Sequence, residues 1–289
     1  MNEPPSDLDT DELLAVVQRS WDESVEALEY LAVGFGAHHF RALVAGEARY
    51  FLTLDDLGER HTLQTLQEAY AGASALNRSG LSFVIAPIEP FAVSFAARAV
   101  SVTPWLDAAS VSAIDADATA MMLRRLHAVD PRTLGVELPR WRPVVGPNLA
   151  EQIERRLQRP WSDGPYGERS REAVAAALDD IRRWASRYAE LGELARTRDW
   201  VPTHGEPDWH NQLITTSGTV LVDWETLKLA PVERDLQTLG SGDRVMLQLF
   251  DLEWRLSEIG EYATWFAGPH GDSADDRAGF EDLIHELTR

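Results

Sequence analysis

A chain of 289 residues with 44% hydrophobic content can bury a sizeable core, as one large domain or as two lobes. Its 27 basic and 47 acidic side chains leave a net charge of −20, which argues against nucleic acid or a membrane surface as partner and favours a cationic one. Cysteine is absent, which excludes disulfides, thiolate nucleophiles and cysteine zinc sites. No run of about eighteen apolar residues and no charged-then-apolar start is present, so neither a membrane span nor a secretory signal is expected, and the expected compartment is cytoplasmic.

In chain order, residues 1–10 read as a polar arm, with Thr10 and Asp11 as caps of a first helix whose apolar stripe is Leu13, Leu14, Val16 and Val17. Residues 27–33 read as a strand, Gly34-Phe35-Gly36-Ala37-His38-His39 as a turn, and residues 40–44 and 49–54 as strands joined through Ala45-Gly46-Glu47. A helix is expected over 63–76, then short strands over 83–87, 91–95 and 98–102. Beyond Thr103-Pro104 the pattern turns helical, over 115–129, 149–157 and a single long run at 169–197. Residues 204–222 interrupt it as loop, strand, turn and strand, with the turn at Thr216-Ser217-Gly218. The expected class is therefore α+β, with an antiparallel-sheet lobe at 1–102 and a mainly helical lobe at 103–289.

The stretch most suited to chemistry is His204-Gly205-Glu206-Pro207-Asp208-Trp209-His210-Asn211, followed after one hairpin by Leu221-Val222-Asp223-Trp224-Glu225. Phosphoryl transfer needs a carboxylate to orient the acceptor hydroxyl and oxygen ligands to hold magnesium on the phosphates, and this hairpin gathers such groups. A rival pattern takes His204, Glu206, Asp208 and His210 as one face of a strand, a metal centre for hydrolase or oxygenase chemistry. Pro202 and Pro207 oppose a regular strand there.

The same segment resembles the aminoglycoside phosphotransferase family, relatives of protein kinases. His204-Gly205-Glu206 with Asn211 matches the family's catalytic signature and spacing, Leu221-Val222-Asp223-Trp224-Glu225 its metal-binding segment, and Ala230-Pro231-Val232-Glu233-Arg234-Asp235-Leu236 the element that follows. Within the family the chain looks most like the spectinomycin phosphotransferase group. The resemblance implies a protein-kinase-like two-lobe fold with a five-stranded antiparallel sheet, and ATP or GTP used with Mg2+. It further implies transfer to a hydroxyl of a small, cationic acceptor such as an aminoglycoside or aminocyclitol antibiotic.

By the same resemblance Glu206 takes the catalytic-base position, with Asp208 as rival, and Asn211 and Asp223 take the magnesium positions. Asp235, His204 and His127 become bracing residues. Gly34 and Gly36 resemble the loop over the phosphates, and adenine would lie along Val102 to Trp105. The chain departs from the family in two places. Glu206 stands where aspartate is usual, and Thr53 stands where a third-strand lysine grips the phosphates; Lys228 is the chain's one lysine. Arg41, Arg98, His38 or His39 are the candidates to supply that charge, and Glu68 lies near the position of the lysine-pairing glutamate. A kinase-like binder with little transfer activity is the alternative this gap raises. Residues 241–289 carry 11 acidic and 4 basic side chains, among them Asp243, Asp251, Glu253, Glu258 and Glu261, which could attract a cationic acceptor.

Overall fold

The computed structural model describes residues 3–5, 7–34, 36–58 and 61–289. Parts of the expected polar arm, and Phe35 of the glycine turn, lie outside the described residues. The described chain divides into two compact units, Met1–Trp141 with Asp199–Leu239, and Arg142–Arg198 with Gly240–Arg289.

The first unit opens with α1 (Thr10–Ser20), then β1 (Ala27–Leu31), β2 (His38–Val44), β3 (Glu47–Asp56), α2 (Leu63–Arg78), β4 (Val93–Phe95), β5 (Arg98–Pro104), β6 (Ala109–Ser110) and α3 (Ala116–His127). Asp9, not Thr10 or Asp11, caps α1: its Oδ1 accepts from the backbone N–H groups of Asp11 and Glu12 at 3.0 Å. An aspartate one residue ahead of the first turn reaches two of the orphan donors at once. Leu13, Val16 and Val17 of α1 then pack on Phe40, Ala42, Leu52, Leu54, Val100 and Val102, one face of the sheet.

That sheet is antiparallel and five-stranded, in the order β1-β2-β3-β5-β4. Strand alternation sends Phe51, Thr53, Asp55, Ser101 and Thr103 to the opposite face. The buried stripe of α2, Leu66, Ala69, Tyr70, Ala73 and Leu76, has the i, i+3, i+4 spacing of a core-facing helix and joins a second cluster with Trp224, Leu227 and Leu229. Gly72 permits the close approach, since a Cβ there would come within 2.6 Å of Leu138 and 2.8 Å of Leu227. The helix is thereby pressed against the residues that follow Asp223.

Residues 83–87, expected as a strand, form no strand. Phe83 and Val84 are buried, and the segment instead docks on the hairpin: Leu221 donates to the Phe83 carbonyl at 2.7 Å and Ile85 to that of Leu221 at 3.0 Å. Two hydrogen bonds around one bridged residue satisfy the local backbone without a ladder. The segment from Val102 to Trp105, where the resemblance puts adenine, is also sheet as far as Pro104, which pairs with Tyr50.

The unit is completed by β7 (Val201–Thr203), β8 (Gln212–Thr215), β9 (Gly218–Leu221), β10 (Lys228–Ala230) and α7 (Glu233–Leu236). The second unit holds α4 (Leu149–Leu157), α5 (Gly167–Ala176), α6 (Leu178–Ala195), α8 (Arg244–Ala267) and α9 (Ala274–Thr288). The single helix expected over 169–197 is two, broken at Ala177. The alanine-rich sequence carries no stop signal. The break is set by packing, because Ser170 and Val174 of α5 and Ile181, Tyr188 and Leu191 of α6 are buried on separate stripes. No helix among the described residues is long and apolar enough to cross a membrane.

Several acids of the second unit are engaged locally. Asp243 caps α8 and pairs with Arg198, Asp251 pairs with Arg289, and Glu253 accepts from the Tyr188 hydroxyl at 2.5 Å. Part of the acidic surplus thus serves helix caps and ion pairs.

Candidate active site

The site is built on two short antiparallel pairings. β7 pairs with β10, and β8 with β9 in a hairpin that β6 extends to three strands. Between β7 and β8 runs a loop, residues 204–208, closed by a 3-10 turn at Trp209–Asn211.

His204 is fully buried at the centre of this loop. Its Nε2 donates to the Val222 carbonyl at 2.8 Å, while its Nδ1 accepts from the Glu206 backbone N–H at 3.2 Å. Those partners require the neutral ring with the proton on Nε2. Burial lowers the imidazole below its ordinary 6.5 despite the opposing pull of the Asp235 carboxylate and the Val222 carbonyl, which agrees with a neutral ring. One imidazole therefore ties the backbone before Glu206 to the backbone before Asp223. Trp224 meets its face edge-on at 4.5 Å, and Thr226 donates to its carbonyl at 2.6 Å.

Asn211 closes the same ring of contacts. Its Nδ2 donates to the Glu206 carbonyl at 2.9 Å, and its own carbonyl accepts from Val222 at 3.0 Å. The amide is thus held by its nitrogen, which leaves the side-chain oxygen as the atom available for a cation. Gln212, behind it, donates to the Pro207 carbonyl at 2.9 Å and to Thr119 at 3.0 Å, pinning the proline that shapes the loop.

Asp235 supports this arrangement from α7. Its two oxygens accept from the backbone N–H groups of His204 (3.1 Å) and Gly205 (2.6 Å) and from His127 Nε2 (2.8 Å). Burial pushes the carboxyl upward, but the hydrogen bonds from His127 and from the Gly205 N–H outweigh it and hold the group below its ordinary value. Gly205 itself sits at φ +105°, and a Cβ there would collide with the Arg234 guanidinium, which is anchored on the Thr203 hydroxyl at 3.0 Å. Gly205→Ala is expected to cost about 2 kcal/mol through backbone strain and displacement of Arg234, read as a lower urea midpoint with unchanged slope.

The two candidate bases differ in their surroundings. The Asp208 carboxylate caps the 3-10 turn, its Oδ1 accepting from Trp209 at 2.6 Å, and its carbonyl receives Asn211. Glu206 is partly exposed, next to the His204 clip. Asp223 is exposed and adopts φ +66°, a left-handed conformation that aspartate tolerates better than most residues. Tyr70 of α2 lies fully buried nearby. Burial first, then the negative charges of Asp55, Glu225 and Asp223, push its hydroxyl well above the phenol value.

The residues proposed for the nucleotide, and Glu68, are placed as follows. Gly34 (φ +70°) and Gly36 (φ +89°) occupy the turn before β2 in left-handed conformations. Arg41 is exposed and paired with Glu29, Arg98 pairs with Asp56 at 2.7 Å and Asp7 at 3.1 Å, and His38 meets the Tyr30 hydroxyl at 3.2 Å. Glu68 is exposed and accepts from Gln64 at 2.8 Å. Val102 is buried and its carbonyl accepts from Ile88 at 2.8 Å; Trp105 lies 6.4 Å from Phe51, ring to ring. Thr53 stands directly across the β2–β3 pair from His39.

The metal centre read from His204, Glu206, Asp208 and His210 does not form. Residues 204–208 are loop rather than strand, both His204 nitrogens are engaged, and His210 points outward with its ring edge-on to exposed Trp209. No three histidines or carboxylates among the described residues are grouped to hold a metal.

Residues 28–274 match the phosphotransferase enzyme family. The chain belongs to that family. It is 32% identical to Protein StrN of Streptomyces griseus over 245 residues, covering 76% of each chain. In fold, this phosphotransferase is similar to spectinomycin phosphotransferase solved with ADP and spectinomycin, with a TM-score of 0.73, 15% identity and coverage of 98% of this chain and 96% of that one. A choline/ethanolamine kinase family protein from Mesorhizobium loti follows at a TM-score of 0.55, 18% identity and coverage of 96% and 93%. The kinase-like α+β fold, with its small antiparallel sheet, is therefore the fold of this chain.

Tyr70, Thr226 and Arg234 carry no signal in sequence that marks them as neighbours of the site, whereas His39 is already a sequence candidate. The strand register sets His39 opposite Thr53, the position the resemblance gives to lysine. Tyr70 reads in sequence as one more core position of α2.

Proposed function

We propose that this phosphotransferase moves the terminal phosphoryl group of ATP or GTP to a hydroxyl of a small, cationic acceptor such as an aminoglycoside or aminocyclitol. The observation that carries the reading is the His204 clip, which gathers Glu206, Asn211 and Asp223 around one buried, neutral ring. Asn211 and Asp223 offer oxygen donors, the type magnesium takes, and two protein ligands suit an ion that keeps waters and phosphate oxygens. Bound there, Mg2+ would offset the charge of the phosphates. Glu206 would accept the acceptor's hydroxyl proton as the oxygen attacks phosphorus, and the nucleoside diphosphate would leave with the electron pair of the broken P–O bond. The net charge of −20 supports a cationic acceptor, as does the spectinomycin-bound fold neighbour. A lobe boundary near residue 103 and a cytoplasmic location belong to the same proposal.

Glu206→Gln should lower kcat by about a hundredfold or more with nucleotide affinity kept, because the general base is lost and binding groups remain. Asp208→Asn, which keeps the Oδ1 acceptor that caps the 3-10 turn, should leave kcat and stability nearly unchanged. The reverse pattern would give the role to Asp208. Wild-type protein that binds nucleotide yet phosphorylates nothing in an antibiotic and metabolite panel, read by mass shift, would favour the binder.

A further inference from the structure

The face of the sheet formed by Phe51, Thr53, Ser101 and Asp55 meets a strongly acidic neighbourhood, since Asp55, Asp223 and Glu225 all act on buried Tyr70. An anion lying there beside Asp223 needs a hydrogen-bond donor from the sheet. Arg41 and Arg98 are turned to carboxylates of their own, and His38 to Tyr30. His39 is placed differently. Its Nδ1 lies 3.3 Å from the Thr53 hydroxyl, its ring packs 5.0 Å from Phe51, and the charge of Asp223 reaches it. The rings of Trp105, Phe51 and His39 thus form a continuous row. At its far end, the backbone of Gly34 comes so close that a Cβ would lie 2.9 Å from His39 Nε2. One end of the row suits an aromatic base, and the other, beneath a left-handed glycine turn and within reach of Asp223, suits phosphate oxygens.

Resting on the phosphotransferase reading, we propose that His39 hydrogen-bonds the phosphates beyond the α-phosphate of the bound nucleotide, with Thr53 orienting its ring. A threonine then stands at the lysine position because its task is to hold a neighbour rather than to bear charge.

Titration calorimetry with magnesium and either ADP or GDP, whichever the wild type binds, tests this against the matching nucleoside. His39→Phe keeps the ring contact with Phe51 but has no donor; the diphosphate should bind about tenfold more weakly, with nucleoside affinity unchanged. His39→Gln, which retains a donor, should recover part of the loss. Equal weakening of nucleoside and diphosphate would mark a structural role and overturn the proposal, as would unchanged diphosphate binding. Should His39→Phe not fold, imidazole NMR of the wild type decides: the His39 ring signals, assigned through His39→Gln, should shift with diphosphate and not with nucleoside. Shifts that are the same with both would overturn it. A wild type that binds neither ADP nor GDP would overturn the phosphotransferase reading itself, and this proposal with it.

Discussion

Asp223→Asn is expected to lower turnover by about a thousandfold or more while leaving the protein folded. The substitution keeps the side-chain shape and tolerates the φ of +66° at least as well as aspartate, so the backbone gains no strain. It also removes one of three negative charges around buried Tyr70, a change neutral or slightly favourable for stability. What it takes away is the carboxylate on the far side of the His204 clip from Glu206, the anionic oxygen donor that the metal assignment requires. Chelation of divalent ions should abolish wild-type turnover, and added Mg2+ should restore it. Steady-state kinetics beside a thermal melt separates the two effects: an unchanged kcat in Asp223→Asn would refute the metal role, whatever its melting temperature.

The second large effect is on stability. Asp235→Asn should destabilise the protein by about 3 kcal/mol, since one of the carboxylate oxygens that accepts from His204, Gly205 and His127 becomes an NH2 group facing a donor. For a chain of this size that corresponds to a melting temperature lower by roughly 6–10 °C. The pH dependence has a definite sign. The folded carboxyl titrates below its ordinary value of 3.8, so its ionised form contributes stability that is present above about pH 3.8 and lost as pH falls through the folded value. The gap between wild type and Asp235→Asn should accordingly be constant near neutrality and narrow in acid. His204 acts in a higher range. Its folded ring resists protonation, so its contribution is intact above pH 6.5 and declines below it. Urea titrations at pH 7.5, 5.5 and 3 would display both, and a gap that widens in acid would contradict the assignment for Asp235.

These two aspartates also differ in how far the sequence alone reveals them. The spacing of His204, Glu206, Asn211 and Asp223 around a hairpin is local in the chain, and local geometry carries most of it: β8 and β9 pair where the turn residues place them. The bracing position of Asp235 followed from resemblance rather than from any pattern in its own segment. Its actual contacts, spanning 30, 31 and 108 residues, had no local signature.

The sequence by itself determined the strand alternation of the sheet, the amphipathic stripe of α2 and the order of chemical groups over residues 204–211, because each depends on neighbours a few residues apart. Tertiary structure alone decided which of the candidate basic side chains are tied up in ion pairs. Arg41, Arg98 and His39 are equally plausible on paper, and the difference lies in ion pairs with Glu29, Asp56 and Asp7 made across strands or with the amino-terminal arm. It also decided that residues 83–87 dock on Leu221 instead of forming a strand, and that the alanine-rich helix breaks at Ala177. Helix and strand propensities differ by only fractions of a kcal/mol per residue, and burying one apolar side chain contributes about 2 kcal/mol, so packing prevails wherever local preference is weak.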